Sequence, residues 1–236
     1  MIDLSRELSG LSRVYEQLAI RQSGVVMQFI GVHSGCGVST CARAFARMMA
    51  PRSRRGIWLF DLDFYTNTHF KMFSSPKAQA LYGALGPVTA IAQEGEPLFW
   101  RVHPELVRED GRKAGDRYYM NMHRVGAHSL YVSRFRSDLL RAKQHVHLRP
   151  SKAYWDHLRA KIDLAIIDAP VLHRSRGGLV TAVDADGVVI VAHPADPKAE
   201  IQKVQQQIEG RGGRCLGVIY NAVPRQGLDP VQQAAQ

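Results

Sequence analysis

The sequence predicts an α/β fold: one doubly wound, mostly parallel sheet in a single domain. Three observations carry this expectation. Short and almost wholly apolar runs recur at 25–32, 57–60, 164–167, 187–191 and 215–220, as strands buried on both faces of a parallel sheet require. Stretches with helical spacing lie between several of them, which is the βα alternation of a doubly wound sheet. The composition, 45% hydrophobic and 22% charged over 236 residues, supports one sizeable core and excludes a disordered, collagenous or repeat-array chain.

Taken in order, residues 3–22 place Leu4, Leu8, Leu11, Tyr15 and Leu18 at steps of three and four, the signature of an amphipathic helix within the segment 1–23. Such a helix either packs on its own domain or docks a partner or membrane. The strand 25–32 ends in the turn 33–40, and Ala42, Phe45, Ala46 and Met49 then follow at helical spacing. The strand at 57–60 runs into Asp61, Leu62 and Asp63; the strand at 164–167 follows Asp163 and runs into Asp168, Ala169 and Pro170. Residues 98–150 break the rhythm with many Arg and His, and read as a basic insertion with a strand near 129–132 and a hairpin. A helix near 150–161, a second at 197–209 between the last two strands, and a short polar tail over 223–236 complete the chain.

Lys and Arg number 31 against 21 Asp and Glu, a formal charge of +10 that favours anions: phosphate ligands, nucleic acid, anionic lipid or an acidic partner. Cys36, Cys41 and Cys215 form no close pair, which argues against a disulfide framework and points to a reduced, cytosolic setting. Cys36 lies near a helix N-terminus, where a thiol pKa is expected to fall, whereas Cys41 reads as core. The N-terminus carries charges where a signal peptide needs an apolar run, and no stretch reaches about 18 apolar residues, so the expectation is a chain neither secreted nor membrane-spanning.

The chemistry concentrates at the strand ends. A phosphate site needs several backbone N–H groups converging on one anion, which a glycine-permitted loop at a helix N-terminus supplies. The segment 31–40 has that form, with Gly35, Cys36, Gly37, Val38, Ser39 and Thr40 as the cradle. Against G-x-x-x-x-G-K-[ST] it falls short at one position, since Gly37 is followed by Val38 and then Ser39. A glycine-rich turn alone is shared by many α/β domains, and single aspartates often cap helices or turns. Together, though, Asp61, Asp63 and Asp168 end buried strands where an open α/β sheet binds ligands. With the Ser39 hydroxyl, Asp61 and Asp168 form a Mg²⁺-nucleotide constellation.

The loop, the 61–63 strand end, residues 163–170, the 185–191 strand and the closing 216–221 stretch together resemble the cytosolic domain of bacterial tyrosine autokinases, within the MinD/ParA-like class of P-loop ATPases. The likeness covers about 12–97 and 150–222. It implies that Gly35 to Thr40 form the Walker A loop, that Asp61 and Asp63 are the acidic pair that would be catalytic in an active enzyme, that Asp168 is the Walker B aspartate, and that Asn221 contacts the base. The cofactor implied is ATP or ADP with Mg²⁺. The family also implies a cytosolic protein at the inner face of the membrane, working with a membrane polysaccharide co-polymerase in exopolysaccharide, capsule or holdfast export, with a homodimer or oligomer as a further expectation.

This chain departs from that pattern. Val38 replaces the loop lysine, His33 stands at the position of the signature lysine, Phe64, Tyr65, Thr66 and Asn67 replace an arginine-rich turn, the leading helix has no Glu-x-x-Arg-x-x-Arg motif, and the tail has no tyrosine cluster. Nucleotide binding is therefore expected to be weak or absent, and the chain reads as a degenerate pseudo-ATPase serving as regulator or scaffold. The alternatives are an active hydrolase or kinase in which His33, Arg43 or a partner's arginine supplies the cation, and a ParA/MinD-like positioning protein that binds DNA. The basic residues of the insertion, among them Arg101, Arg108, Arg112, Lys113, Arg117, Arg124, Arg134, Arg136, Arg141 and Lys143, read either as a solvated face or as a surface for a partner, an anionic membrane or, less favoured, nucleic acid.

Overall fold

A computed structural model describes residues 8–93, 95–105 and 115–221. In chain order the elements are α1 (Ser9–Ala19), β1 (Val25–Gly31), α2 (Val38–Met49), β2 (Ile57–Asp61), α3 (Thr68–Ser74), α4 (Pro76–Tyr82), β3 (Leu85–Ala90), β4 (Trp100–His103), β5 (Met120–Val125), β6 (Leu130–Phe135), β7 (His145–Leu148), α5 (Lys152–Lys161), β8 (Leu164–Ala169), α6 (Gly177–Ala182), β9 (Gly187–Ala192), α7 (Lys198–Glu209) and β10 (Cys215–Tyr220). Leu4, Arg108, Arg112, Lys113 and the 223–236 tail lie outside the described residues.

The five apolar runs become β1, β2, β8, β9 and β10, and each pairs with its sequence-distant neighbour in parallel. All seven residues of β1 are buried because the strand is covered on both faces. Val25, Met27 and Phe29 meet Leu8, Leu11 and Phe45 from α1 and α2. Val26 and Ile30 face Trp155, Leu179 and Val204 from α5, α6 and α7. Gln28 is the polar exception, and its amide is satisfied by Gly178 O and the Thr181 hydroxyl, both at 2.7 Å.

The basic stretch 98–150 is not set apart from this sheet. The strand order is β10-β9-β1-β8-β2-β6-β5-β3, so β6 continues the parallel sheet beside β2 and β5 turns it antiparallel. Only β4 and β7 form a separate two-stranded ribbon among the described residues. The period-two signal was masked because burial changes side within each strand: Met120, Met122 and Phe135 pack in one cluster and Val125, Leu130 and Val132 in the other, with Arg124 and Arg134 partly exposed between them. Several of the basic groups do local work. The Arg134 guanidinium sits 4.7 Å from the Phe70 ring centroid, Arg124 donates to the carbonyls of Ala127 and His128, and Arg136 pairs with Asp138 at 2.7 Å.

The leading helix is likewise occupied. Leu8 and Leu11 are buried against β1 and α2, with Tyr15 and Leu18 packed on the same cluster, so its apolar stripe packs on its own domain, the first of the two readings, rather than standing open to a partner or membrane.

One polar junction fixes the entry into β2 and β8. The Asp163 carboxylate accepts from Ser53 Oγ (2.8 Å), Arg54 N (2.8 Å), Arg55 N (3.0 Å) and Arg55 Nε (2.8 Å). Burial alone would raise its pKa, but these donors outweigh it and bring it from 3.8 down to about 2. A depressed carboxylate pKa stabilises the fold above the unfolded value and loses that contribution as pH falls through the folded one. Asp163→Asn is therefore expected to cost about 1 kcal/mol at pH 7, a figure reduced for solvent screening. Urea unfolding of wild type and variant should converge between pH 4 and pH 2; a constant difference down to pH 2 would refute the assignment.

Candidate functional site

The loop between β1 and α2 is shaped by two close approaches. Gly37 has φ +90°, and a Cβ there would lie 2.0 Å from Asn221 Nδ2. Asn221 Nδ2 donates to Cys36 O at 2.9 Å, so the end of β10 braces the loop. Gly31 leaves room beneath it: a Cβ would fall 2.5 Å from Cys36 Sγ and 2.6 Å from Val38 Cγ2. Val38, the residue in the lysine position, is thus turned down into the apolar end of β1 beside Cys36 and Val171. Gly37 O accepts from Thr40 N and Cys41 N at 3.0 Å, starting α2.

The loop forms one wall of a cleft of about 350 Å³, lined also by Ser39, Thr40, Asp61, Asp63, Thr68, Asp168, Pro170 and Arg174. Parallel register sets Asp61 directly beside Asp168. Their charges are taken up within the chain. Asp61 accepts from Asp63 N at 2.9 Å and His69 N at 3.2 Å, and its carboxyl pKa is raised, chiefly by burial. Asp168 Oδ2 lies 2.9 Å from His69 Nε2, a close polar contact without the alignment of a hydrogen bond. His69 is fully buried, and its Nδ1 accepts from Arg43 at 3.0 Å. Burial lowers the Arg43 pKa. Asp63 pairs with Arg174.

The structure therefore brings together Gly35, Gly37, Val38, Ser39, Thr40, Asp61, Asp63 and Asp168 on one cleft, with Cys36 and Asn221 behind the loop. The candidate substitute cations separate. Arg43 lies beneath the acidic floor, bonded to His69, and does not line the cleft. His33 does line it, with Nε2 2.8 Å from Asp196 Oδ1. Cys36 departs from expectation: it is buried, and burial pushes its thiol pKa up despite nearby backbone donors, where the sequence suggested a fall. Cys41 is core, with its thiol pushed up to about 12.

Sequence reasoning missed His69, Asn67 and Arg174. Asn67, at φ +51°, donates to Phe64 O and Phe135 O and accepts from Phe135 N, which pins the turn after Asp63 onto β6. A polar His69 on the face of α3 that also buries Phe73 was a readable signal. Arg174 had none, because its partner is 111 residues away.

A nucleotide phosphate, were one bound, would meet Ser39 and Thr40, which line the cleft beside the loop. Mg²⁺ would be held by Ser39, Asp61 and Asp168 only with phosphate oxygens completing its shell, since no group of three or more His, Cys, Asp or Glu among the described residues is arranged to hold a metal.

No protein-family model matches the chain and no curated protein matches it in sequence. Solved structures do match. The kinase domain of Escherichia coli tyrosine kinase ETK superposes with a TM-score of 0.62 at 13% identity, over 95% of this chain and 78% of that one. The chimerical protein CapA2B2 gives 0.53 at 17% identity, over 90% and 82%. The VpsO kinase domain gives 0.52 at 15% identity, over 94% and 96%. The chain thus shares the P-loop fold of bacterial tyrosine kinase domains. Among the described residues no helix is long and apolar enough to cross a membrane.

Proposed function

We propose that the chain is a degenerate member of that fold, a regulator or scaffold that binds nucleotide weakly and does not turn it over. The observation that supports this most is Val38: its side chain lies under the loop, where it offers the phosphates neither charge nor hydrogen bond. The two basic side chains lining the cleft, His33 and Arg174, each face a carboxylate of the chain itself. Charge developing on a transferred γ-phosphoryl group then lacks the lysine that normally neutralises it.

When bound, Mg-nucleotide would supply the phosphoryl group. The loop N–H groups would orient its phosphates, Ser39, Asp61 and Asp168 would hold the ion, and Asn221 would brace the loop beside the base. By the family resemblance, the partner proposed is a membrane polysaccharide co-polymerase, and the place of action is the inner face of the membrane.

ATP and ADP titrations with Mg²⁺, together with phosphotyrosine mass spectrometry, test the reading. The expected result is weak binding, no turnover above background and no phosphotyrosine. Hydrolysis at an ordinary enzyme rate that Asp61→Asn abolishes, or stoichiometric phosphotyrosine, would overturn it. For the partner, Asp61→Asn should restore polymer export in a strain lacking the chain, because a scaffold needs no turnover.

A further inference from the structure

We propose that Arg174 is the cation of the phosphate cleft, held by Asp63 until an anionic ligand takes the guanidinium from the carboxylate. The inference rests on the phosphate-site reading above and assigns the charge that site otherwise lacks.

Placement comes first. Arg174 follows β8 on a turn fixed by bonds from Arg174 N and Ser175 N to Val171 O, at 3.0 and 3.1 Å. The same turn reaches the loop directly, with His173 Nε2 3.3 Å from Ser34 Oγ. Arg174 lines the 350 Å³ cleft together with Gly35, Gly37 and Ser39. It also lines an adjoining cleft of about 450 Å³, so it stands on the rim between the two.

The competing cations are committed more deeply. His33 is paired with Asp196, whose other oxygen accepts from His193 N at 2.7 Å. Arg43 lies under the floor, partly buried, and is bonded to His69. The Arg174 side chain is 57% exposed, and Asp63, at 19%, stays at the cleft wall. A half-exposed ion pair contributes little to the fold and exchanges readily, whereas a phosphate offers guanidinium a charge-assisted, bidentate partner. Exchange leaves the Asp63 carboxylate facing the ligand, a repulsion that should hold affinity down.

The two members of the pair must then act with opposite sign. The probes are pyrophosphate and ADP, titrated calorimetrically in EDTA at about 0.15 M salt, which removes any metal role of Asp63 and screens distant charges. Arg174→Ala should weaken binding roughly 10-fold or more, and Arg174→Lys should recover part of it. Asp63→Asn should tighten binding up to about 5-fold in the wild-type background and by clearly less in Arg174→Ala, where only the repulsion and not the competing ion pair is relieved. Thermal melts check that each variant folds.

Wild-type affinity in Arg174→Ala overturns the assignment and leaves the phosphate site standing, as does an equal gain from Asp63→Asn in both backgrounds, which marks simple loss of negative charge. If neither wild type nor Val38→Lys binds either probe, the phosphate-site reading falls, and the role of Arg174 with it.

Discussion

His69→Ala is expected to lower the unfolding free energy by about 3–5 kcal/mol, the range for breaking a buried charged network by removing one member. The ring is fully buried between Arg43, which donates to Nδ1 at 3.0 Å, and Asp168, 2.9 Å from Nε2. Deleting it leaves a cavity bordered by the partly buried Arg43 guanidinium and the Asp168 carboxylate, each short of a partner. Burial already lowers the Arg43 pKa and raises that of Asp61 beside it, so neither charge has slack to lose another partner. His69→Gln keeps a polar group on both sides and should lose markedly less. Urea denaturation monitored by far-UV circular dichroism reads both variants; a His69→Ala midpoint equal to that of wild type would show that the network does not hold the acidic floor together.

Val38→Lys should raise affinity for ADP by about 10- to 150-fold, corresponding to roughly 1.5–3 kcal/mol for a charge-assisted hydrogen bond to phosphate. The backbone is ready for it, since residue 38 opens α2 directly behind Gly37 and the cleft mouth carries Ser39 and Thr40. The stability of the variant should fall, because Val38 packs with Cys36 and Val171 over Gly31 and a lysine must leave that space. A cost of about 1–2 kcal/mol is the scale of removing one such side chain from the core. The two readouts therefore move in opposite directions. Unchanged affinity in a folded variant would mean that the cradle itself, and not the missing lysine, limits binding.

Much of the site was legible in the sequence because its parts are local. Glycine spacing, a strand before it and a helix after it are adjacent in the chain, and Asp61 and Asp168 sit at the ends of apolar runs whose parallel pairing follows from their pattern. The cationic side of the site was not legible. Arg43 points to His69, 26 residues on, and Arg174 reaches Asp63 across 111 residues. The basic stretch misled for a related reason: burial changes side within β5 and β6, so neither shows a clean alternation, and their Arg and His content hid strands that belong to the central sheet.

By itself the sequence determined the parallel α/β class and the position of the glycine-rich loop between β1 and α2, because buried strands and glycine turns are written in short-range pattern. Tertiary structure alone decided where Val38 points, which carboxylates are already neutralised and which arginine reaches the cleft. Those outcomes depend on side chains from distant segments competing for the same buried space, and charge in that space is stabilised by whichever partner packing brings within reach.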